Sequence, residues 1–122
     1  MLRATYVEIP VQNMDRAEAF YVAVFGCTTR RTVVDGHPAC MLDEAANSDA
    51  EGSGIALMAG DSYIPSLDGT RIYITVDSVS DALHRALANG AVELYPPTLV
   101  GDGLTVAEFA DSEGNRIALS DR

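Results

Sequence analysis

Val7-Glu8-Ile9-Pro10-Val11-Gln12-Asn13-Met14-Asp15-Arg16-Ala17 can be laid over Ile72-Tyr73-Ile74-Thr75-Val76-Asp77-Ser78-Val79-Ser80-Asp81-Ala82 at a constant separation of 65 residues. Ile9 falls on Ile74, Val11 on Val76 and Ala17 on Ala82. Self-similarity at a fixed offset marks a duplicated supersecondary unit, so the chain reads as two half-domains. Each copy opens with alternating apolar and polar residues, Val7/Ile9/Val11 and Ile72/Ile74/Val76, the period-2 pattern of a half-buried strand.

Helices follow at once. Asn13 is an N-cap for a segment to about Phe25, with Met14, Ala17, Phe20, Tyr21 and Val24 on one stripe. Ser78, with Asp81 three residues on, starts a second segment to about Asn89, with Val79, Ala82, Leu83, Ala86 and Leu87 inward. Gly26 and Gly90 suit the left-handed position that ends a helix. Thr29 to Val34 and His37 to Leu42 flank an Asp35-Gly36 turn and read as a hairpin, followed by a polar stretch to Gly54 and the strand Ile55-Ala56-Leu57-Met58. In the second half, Val92 to Tyr95 is expected to give way to a loop around Pro96-Pro97 and Gly101-Asp102-Gly103. Strands Leu104 to Ala110 and Arg116 to Ser120 then flank the turn Asp111-Ser112-Glu113-Gly114-Asn115. Each half therefore reads βαβββ, an α+β class, with one domain over residues 1–122: module one at about 3–60, a connector at 60–69 and module two at about 70–122.

Composition narrows the function. The 122 residues are 48% hydrophobic and 21% charged, enough apolar material for a core. Eight basic against 18 acidic residues give a net charge of −10, which opposes nucleic-acid and anionic-membrane partners, both of which need a basic patch. No apolar run approaches the roughly 18 to 20 residues of a membrane span. Met1 to Tyr6 lacks the apolar core of a secretory signal, so a cytoplasmic location is expected. Cys27 and Cys40 form neither a disulfide framework nor a CxxC pair, and reduced thiols are the default.

The duplicated βαβββ pattern, the string Ile9 to Tyr21 continuing into Val24-Phe25-Gly26, and the closing Phe109-Ala110-Asp111-Ser112-Glu113-Gly114-Asn115 resemble the vicinal oxygen chelate superfamily of glyoxalases, bleomycin-resistance proteins and extradiol dioxygenases. The resemblance covers nearly the whole chain, although these strings describe helix packing and a turn and not chemistry. It implies a cup-shaped mixed β-sheet with helices outside, a small organic ligand in the cup, and a homodimer. In metal-dependent members of the family, four inward positions carry His or Glu and hold a divalent ion that acts as a Lewis acid. Those positions fall here at Tyr6, Ala56, Arg71 and Ala118, and a shift of one residue does not restore a ligand set. No metal or other cofactor is therefore expected, with a site built from Glu8, Glu108 and His37 as the alternative.

Alternation then selects the residues that face the cup. If Val7, Ile9 and Val11 pack on a helix, Tyr6 and Glu8 face the other way, as do Arg71 and Tyr73. Pairing across the Asp111 to Asn115 turn sets Glu108 opposite Ala118 on the same side, and Met58 follows from Ala56. The expected ligand-binding residues are Tyr6, Glu8, Met58, Arg71, Tyr73 and Glu108, an amphipathic lining suited to an organic molecule with a polar end. Glu8 and Arg71 either neutralise each other at the mouth of a cleft or contact the ligand. Three functions remain open: a metal-free binding protein that sequesters a small molecule; a lyase, isomerase or dioxygenase using Glu8, Glu108 or Tyr6 or an unusual metal site; and a structural or regulatory dimer with a vestigial cavity. Residues 43–54 and 96–103 are the two candidate lids over the cup.

Overall fold

The computed structural model describes residues 2–43 and 54–122. Ten elements follow one another: β1 (Tyr6–Pro10), α1 (Met14–Phe25), β2 (Thr28–Val34), β3 (His37–Asp43), β4 (Gly54–Met58), β5 (Tyr73–Thr75), α2 (Val79–Ala88), β6 (Val92–Val100), β7 (Leu104–Ala110) and β8 (Arg116–Ser120). They form two mixed four-stranded sheets, in the orders β1-β4-β3-β2 and β5-β8-β7-β6. In each sheet the first strand of the module lies parallel to the last, with Glu8 opposite Ala56 and Tyr73 opposite Ala118. The duplication extends to single hydrogen bonds, Val11 N–H donating to Met58 O at 2.9 Å and Val76 N–H to Ser120 O at 2.8 Å.

Local chemistry fixes the element ends. The Asn13 side chain accepts from Arg16 N–H at 3.0 Å and the Ser78 hydroxyl from Asp81 N–H at 3.1 Å, so both helices begin at the expected caps. Gly26 ends α1 in the left-handed region. Asp35 and Gly36 both take positive φ, at 50° and 76°, as the two-residue hairpin requires.

One expectation fails. Pro96 and Pro97 do not open a loop, because β6 continues through them to Val100. This strand is hydrogen-bonded on one side only, to β7, and the register shifts on either side of Tyr95 carry the ladder past the prolines. An edge strand tolerates residues without N–H groups where a central strand does not. The second candidate lid thus contracts to the turn at 101–103, and the first falls on residues 44–53, outside the described residues, between strands that claim Asp43 and Gly54.

The larger of two buried apolar clusters among the described residues serves both modules, joining Ile9, Phe20, Tyr21 and Leu57 to Leu83, Phe109, Ile117 and Leu119. Phe20 crosses the module boundary, its ring centroid 5.8 Å from that of Phe109. Helix α2 reaches α1 through Arg85, whose Nε–H donates to Val24 O at 2.8 Å and serves a carbonyl of the last turn.

The polar counterpart of this core is the turn between β7 and β8. Asp111, Glu113 and Asn115 are all buried. Asp111 accepts from Glu113 N–H and Asn115 N–H at 2.9 Å each and from the Tyr21 hydroxyl at 2.6 Å. Asn115 donates to Pro10 O at 2.7 Å and accepts from Ser66 N–H at 3.1 Å. Glu113 takes the backbone N–H groups of Gln12 and Asn13 at 2.9 and 2.8 Å, and Arg16 Nε at 2.7 Å. One turn of module two therefore holds the β1–α1 junction and the connector.

Burial opposes charge on Glu113, but the Arg16 guanidinium, the Asn13 and Gln12 amides and the Ser112 hydroxyl outweigh it and lower its pKa from 4.5 to about 2. A depressed carboxylate stabilises the fold fully above its unfolded pKa and loses that contribution as the pH falls from 4.5 towards 2. The contribution is about 3 kcal/mol at pH 7. Glu113→Gln should melt about 10 °C lower at pH 7 and show a shallower decline between pH 4.5 and 2; an unchanged melting point would refute the role of the charge. Tyr21→Phe removes the phenol donor to Asp111 and should cost about 1–3 kcal/mol in urea unfolding at an unchanged m value, and a cost near zero would remove Tyr21 from this polar network, the latch between the modules.

Candidate functional site

The core occupies one face of each sheet, which leaves the residues of opposite parity on the faces away from the helices. On the first sheet, Ile9, Cys40 and Leu57 belong to the core, while Ala39, Ala56 and Met58 form a separate buried cluster packed by Met41 and Tyr63. Tyr6 and Glu8 lie over this second cluster. The Tyr6 hydroxyl donates to Glu8 Oε2 at 2.9 Å and stands 3.9 Å from Met58 Sδ. Tyr63, from the connector, donates its hydroxyl to Glu8 Oε1 at 3.0 Å, so the two carboxylate oxygens each receive one phenol. His37 supports the Tyr63 ring edge-on, with centroids 5.3 Å apart. Gly60 permits this packing, because a Cβ there would stand 2.5 Å from His37 Nδ1. The Glu8 bond raises the Tyr63 pKa, and burial followed by the same carboxylate raises that of Tyr6, so both phenols remain protonated donors at neutral pH.

On the second sheet, Ile74, Phe109, Ile117 and Leu119 are core residues, and Arg71, Tyr73, Glu108, Arg116 and Ala118 take the other parity. Glu108 does pair with Ala118 across the hairpin. Its Oε1 accepts from Arg116 Nη1 at 2.9 Å and forms a longer ion pair with Arg71 Nε at 3.5 Å. Arg116 also donates through Nε to Leu67 O at 3.1 Å, which leaves Arg71, with half of its side chain exposed, as the guanidinium with donors to spare.

The six sequence-predicted residues thus fall into two groups: Tyr6, Glu8 and Met58 on one sheet, and Arg71, Tyr73 and Glu108 on the other. Among the described residues no ion pair joins Glu8 to Arg71, and the partner of Arg71 is Glu108. Met58 is fully buried and forms a floor beneath Tyr6. Two contributors escaped the sequence reading. Arg116 has the parity of Ala118 on the closing strand, so the alternation that placed Ala118 could have placed it. Tyr63 carried only a weak signal, a lone aromatic in a connector made mostly of Gly, Ser, Pro and Asp.

The four family metal positions hold Tyr6, Ala56, Arg71 and Ala118, and the two alanines are fully buried and offer no donor atom. These residues do not fit a divalent ion. The alternative set of Glu8, Glu108 and His37 is not assembled either: among the described residues there is no group of three His, Cys, Asp or Glu able to hold a metal, and Glu108 is engaged by two guanidinium groups. A cleft of about 360 Å³ runs along the connector past Tyr63, Ile64 and Gln12, and another of about 300 Å³ lies between Phe20, Arg16 and Asn89 on the helical side. The first borders the Glu8 group through Tyr63.

The comparisons accord with this geometry. Solved structures similar to the chain include TioX from Micromonospora sp. ML1, 24% identical, with 96% of this chain and 97% of that one covered and a TM-score of 0.67. The fosfomycin resistance protein FosX from Listeria monocytogenes is 18% identical over 100% of this chain and 92% of that one, at a TM-score of 0.71. A glyoxalase/bleomycin resistance protein/dioxygenase family enzyme from Burkholderia phytofirmans PsJN is 21% identical over 98% of both chains, at 0.69. No curated protein sequence matches the chain. At these identities the structures speak for the fold alone, but a family model matches residues 3–119, and the chain belongs to the Glyoxalase/Bleomycin resistance protein/Dioxygenase superfamily.

Proposed function

We propose that this protein binds a small organic molecule between the helix-free faces of its two sheets, without a divalent metal, and acts by sequestering it. The observation that carries this reading is the pair of alanines, Ala56 and Ala118, at positions where a Lewis-acid site would need donor atoms. Around them stand groups that contact organic ligands well: Tyr6 and Tyr73 keep 42% and 53% of their surface exposed, and the Arg71 side chain is half exposed. The FosX neighbour is a fosfomycin resistance protein, which accords with a small organic ligand. General acid–base work by Glu108 is less favoured, because its Oε1 already serves two ion pairs, with Arg116 and Arg71.

Homodimerisation belongs to the same proposal. Val92, Tyr95 and Leu99 are exposed along β6, whose outer edge is unpaired in the single chain, and such an apolar edge favours burial against a second copy. A reducing, cytoplasmic setting accords with two free thiols, of which buried Cys40 donates to Glu18 Oε2 at 3.2 Å and is pushed up to about 11 by burial and that carboxylate.

Melting scans with Ni²⁺, Zn²⁺, Mn²⁺ or Fe²⁺ should shift the transition by less than about 1 °C, and a shift of several degrees with stoichiometric metal would overturn the metal-free reading. Compounds found in a thermal-shift screen should bind Arg71→Ala about tenfold more weakly, a loss of about 1.4 kcal/mol; unchanged affinity would remove Arg71 from the site. Sedimentation should give a species of twice 13.0 kDa, whereas a 13.0 kDa species alone would refute the dimer.

A further inference from the structure

Six carboxylates are buried or partly buried among the described residues, and three of them are matched to a cation. Glu18 pairs with Arg31, Glu113 with Arg16, and Glu108 with Arg116 and Arg71. Asp111 and Asp121 lack a guanidinium, but backbone and Asn115 N–H groups and the Tyr21 hydroxyl satisfy both oxygens of Asp111, and Asp121 accepts from Thr105 N–H at 3.0 Å. Glu8 differs from all of these. It is half-buried, and its hydrogen-bond donors are two neutral phenols. Among the described residues, which include all eight arginines, no cation forms an ion pair with it. A phenol lends a carboxylate a hydrogen bond but no charge, so no described residue compensates the negative charge of Glu8.

The surroundings have a definite chemistry. The Tyr6 and Tyr63 rings, the His37 edge behind Tyr63 and the Met58 thioether are polarisable surfaces, and aromatic faces attract cations as well as apolar groups. Each Glu8 oxygen keeps a second lone pair after accepting one phenol, so a third group can approach without displacing either tyrosine. The net charge of −10 adds a field of the same sign. We infer that Glu8, between Tyr6 and Tyr63, receives the cationic end of the ligand, a protonated amine or quaternary ammonium group. This inference rests on the ligand-binding reading above and specifies the ligand class. The second sheet differs in sign: Arg71 and Arg116 share one carboxylate and leave an excess positive charge there, so the cationic end has one destination and not two.

Three soluble probes on one carbon skeleton separate the outcomes: choline, its neutral isostere 3,3-dimethylbutan-1-ol, and the anion 3,3-dimethylbutanoate, each titrated by amide-resolved NMR into the full chain. Choline should bind at least tenfold more tightly than the alcohol and shift amides near Glu8 and Tyr63. Glu8→Gln should erase that tenfold preference while its spectrum remains dispersed. Tyr63→Phe, which removes a donor and keeps both the ring and the charge, should hold choline affinity within about threefold. Equal binding of choline and the alcohol, or a choline preference that survives Glu8→Gln, would overturn the inference. Binding of the anion alone, lost in Arg71→Ala, would overturn the cationic assignment and keep the binding function; binding of none of the three would count against both.

Discussion

Glu113 and Asp111 are buried carboxylates placed on a five-residue turn, and the placement of everything else depends on that turn. A buried carboxylate without partners would cost several kcal/mol, so the fold must bring donors to it. The donors come from far away in sequence: the amides that lead into α1, the Arg16 side chain, and the Tyr21 hydroxyl from inside the helix stripe. Meeting this requirement fixes α1 against the second sheet and aligns the Pro10 carbonyl with Asn115. Apolar packing of Phe20 on Phe109 acts at the same boundary but is less directional. The carboxylates supply orientation, and the core supplies most of the driving force.

This division of labour frees the helix-free faces. Since the core and the latch both lie on the helix side, residues of the opposite parity can change without loosening the module boundary. The duplicated positions bear this out. Tyr6 corresponds to Arg71 and Glu8 to Tyr73, so equivalent positions hold a phenol–carboxylate group on one sheet and a guanidinium–carboxylate group on the other. The paired positions beside them, Ala56 and Ala118, are small on both. The connector then treats the two faces differently, sending Tyr63 to Glu8 and the Leu67 carbonyl to Arg116.

Whatever rests on local periodicity was legible in the sequence. The repeat, the two caps, the Asp35-Gly36 turn and strands β7 and β8 follow from spacing alone, and so does the register that sets Glu108 beside Ala118. Pro96-Pro97 misled because the penalty on proline depends on whether a strand has one neighbour or two, which is a property of the sheet and not of the segment. The latch was read as a turn and nothing more, because its meaning lies in contacts about a hundred residues away along the chain. The Arg71–Glu108 pair was missed for a related reason. Alternation assigns a side chain to a face, and it is silent on which of several acids on the open faces a guanidinium will choose.

Glu113 and Glu8 make the final distinction. They are the same residue, both carry phenol or hydroxyl partners, and yet the structure treats them oppositely. Glu113 has a guanidinium, two amides and a hydroxyl, and it is sealed away from water. Its charge is spent internally, and nothing further could approach it. Glu8 has two neutral donors and remains half-buried. Keeping a carboxylate in such a place costs some desolvation and returns little Coulombic gain within the chain, which is a poor arrangement for stability. Stability does not account for such an arrangement, and that asymmetry is what supports the proposal that Glu8, and not the more deeply buried acids, faces the ligand.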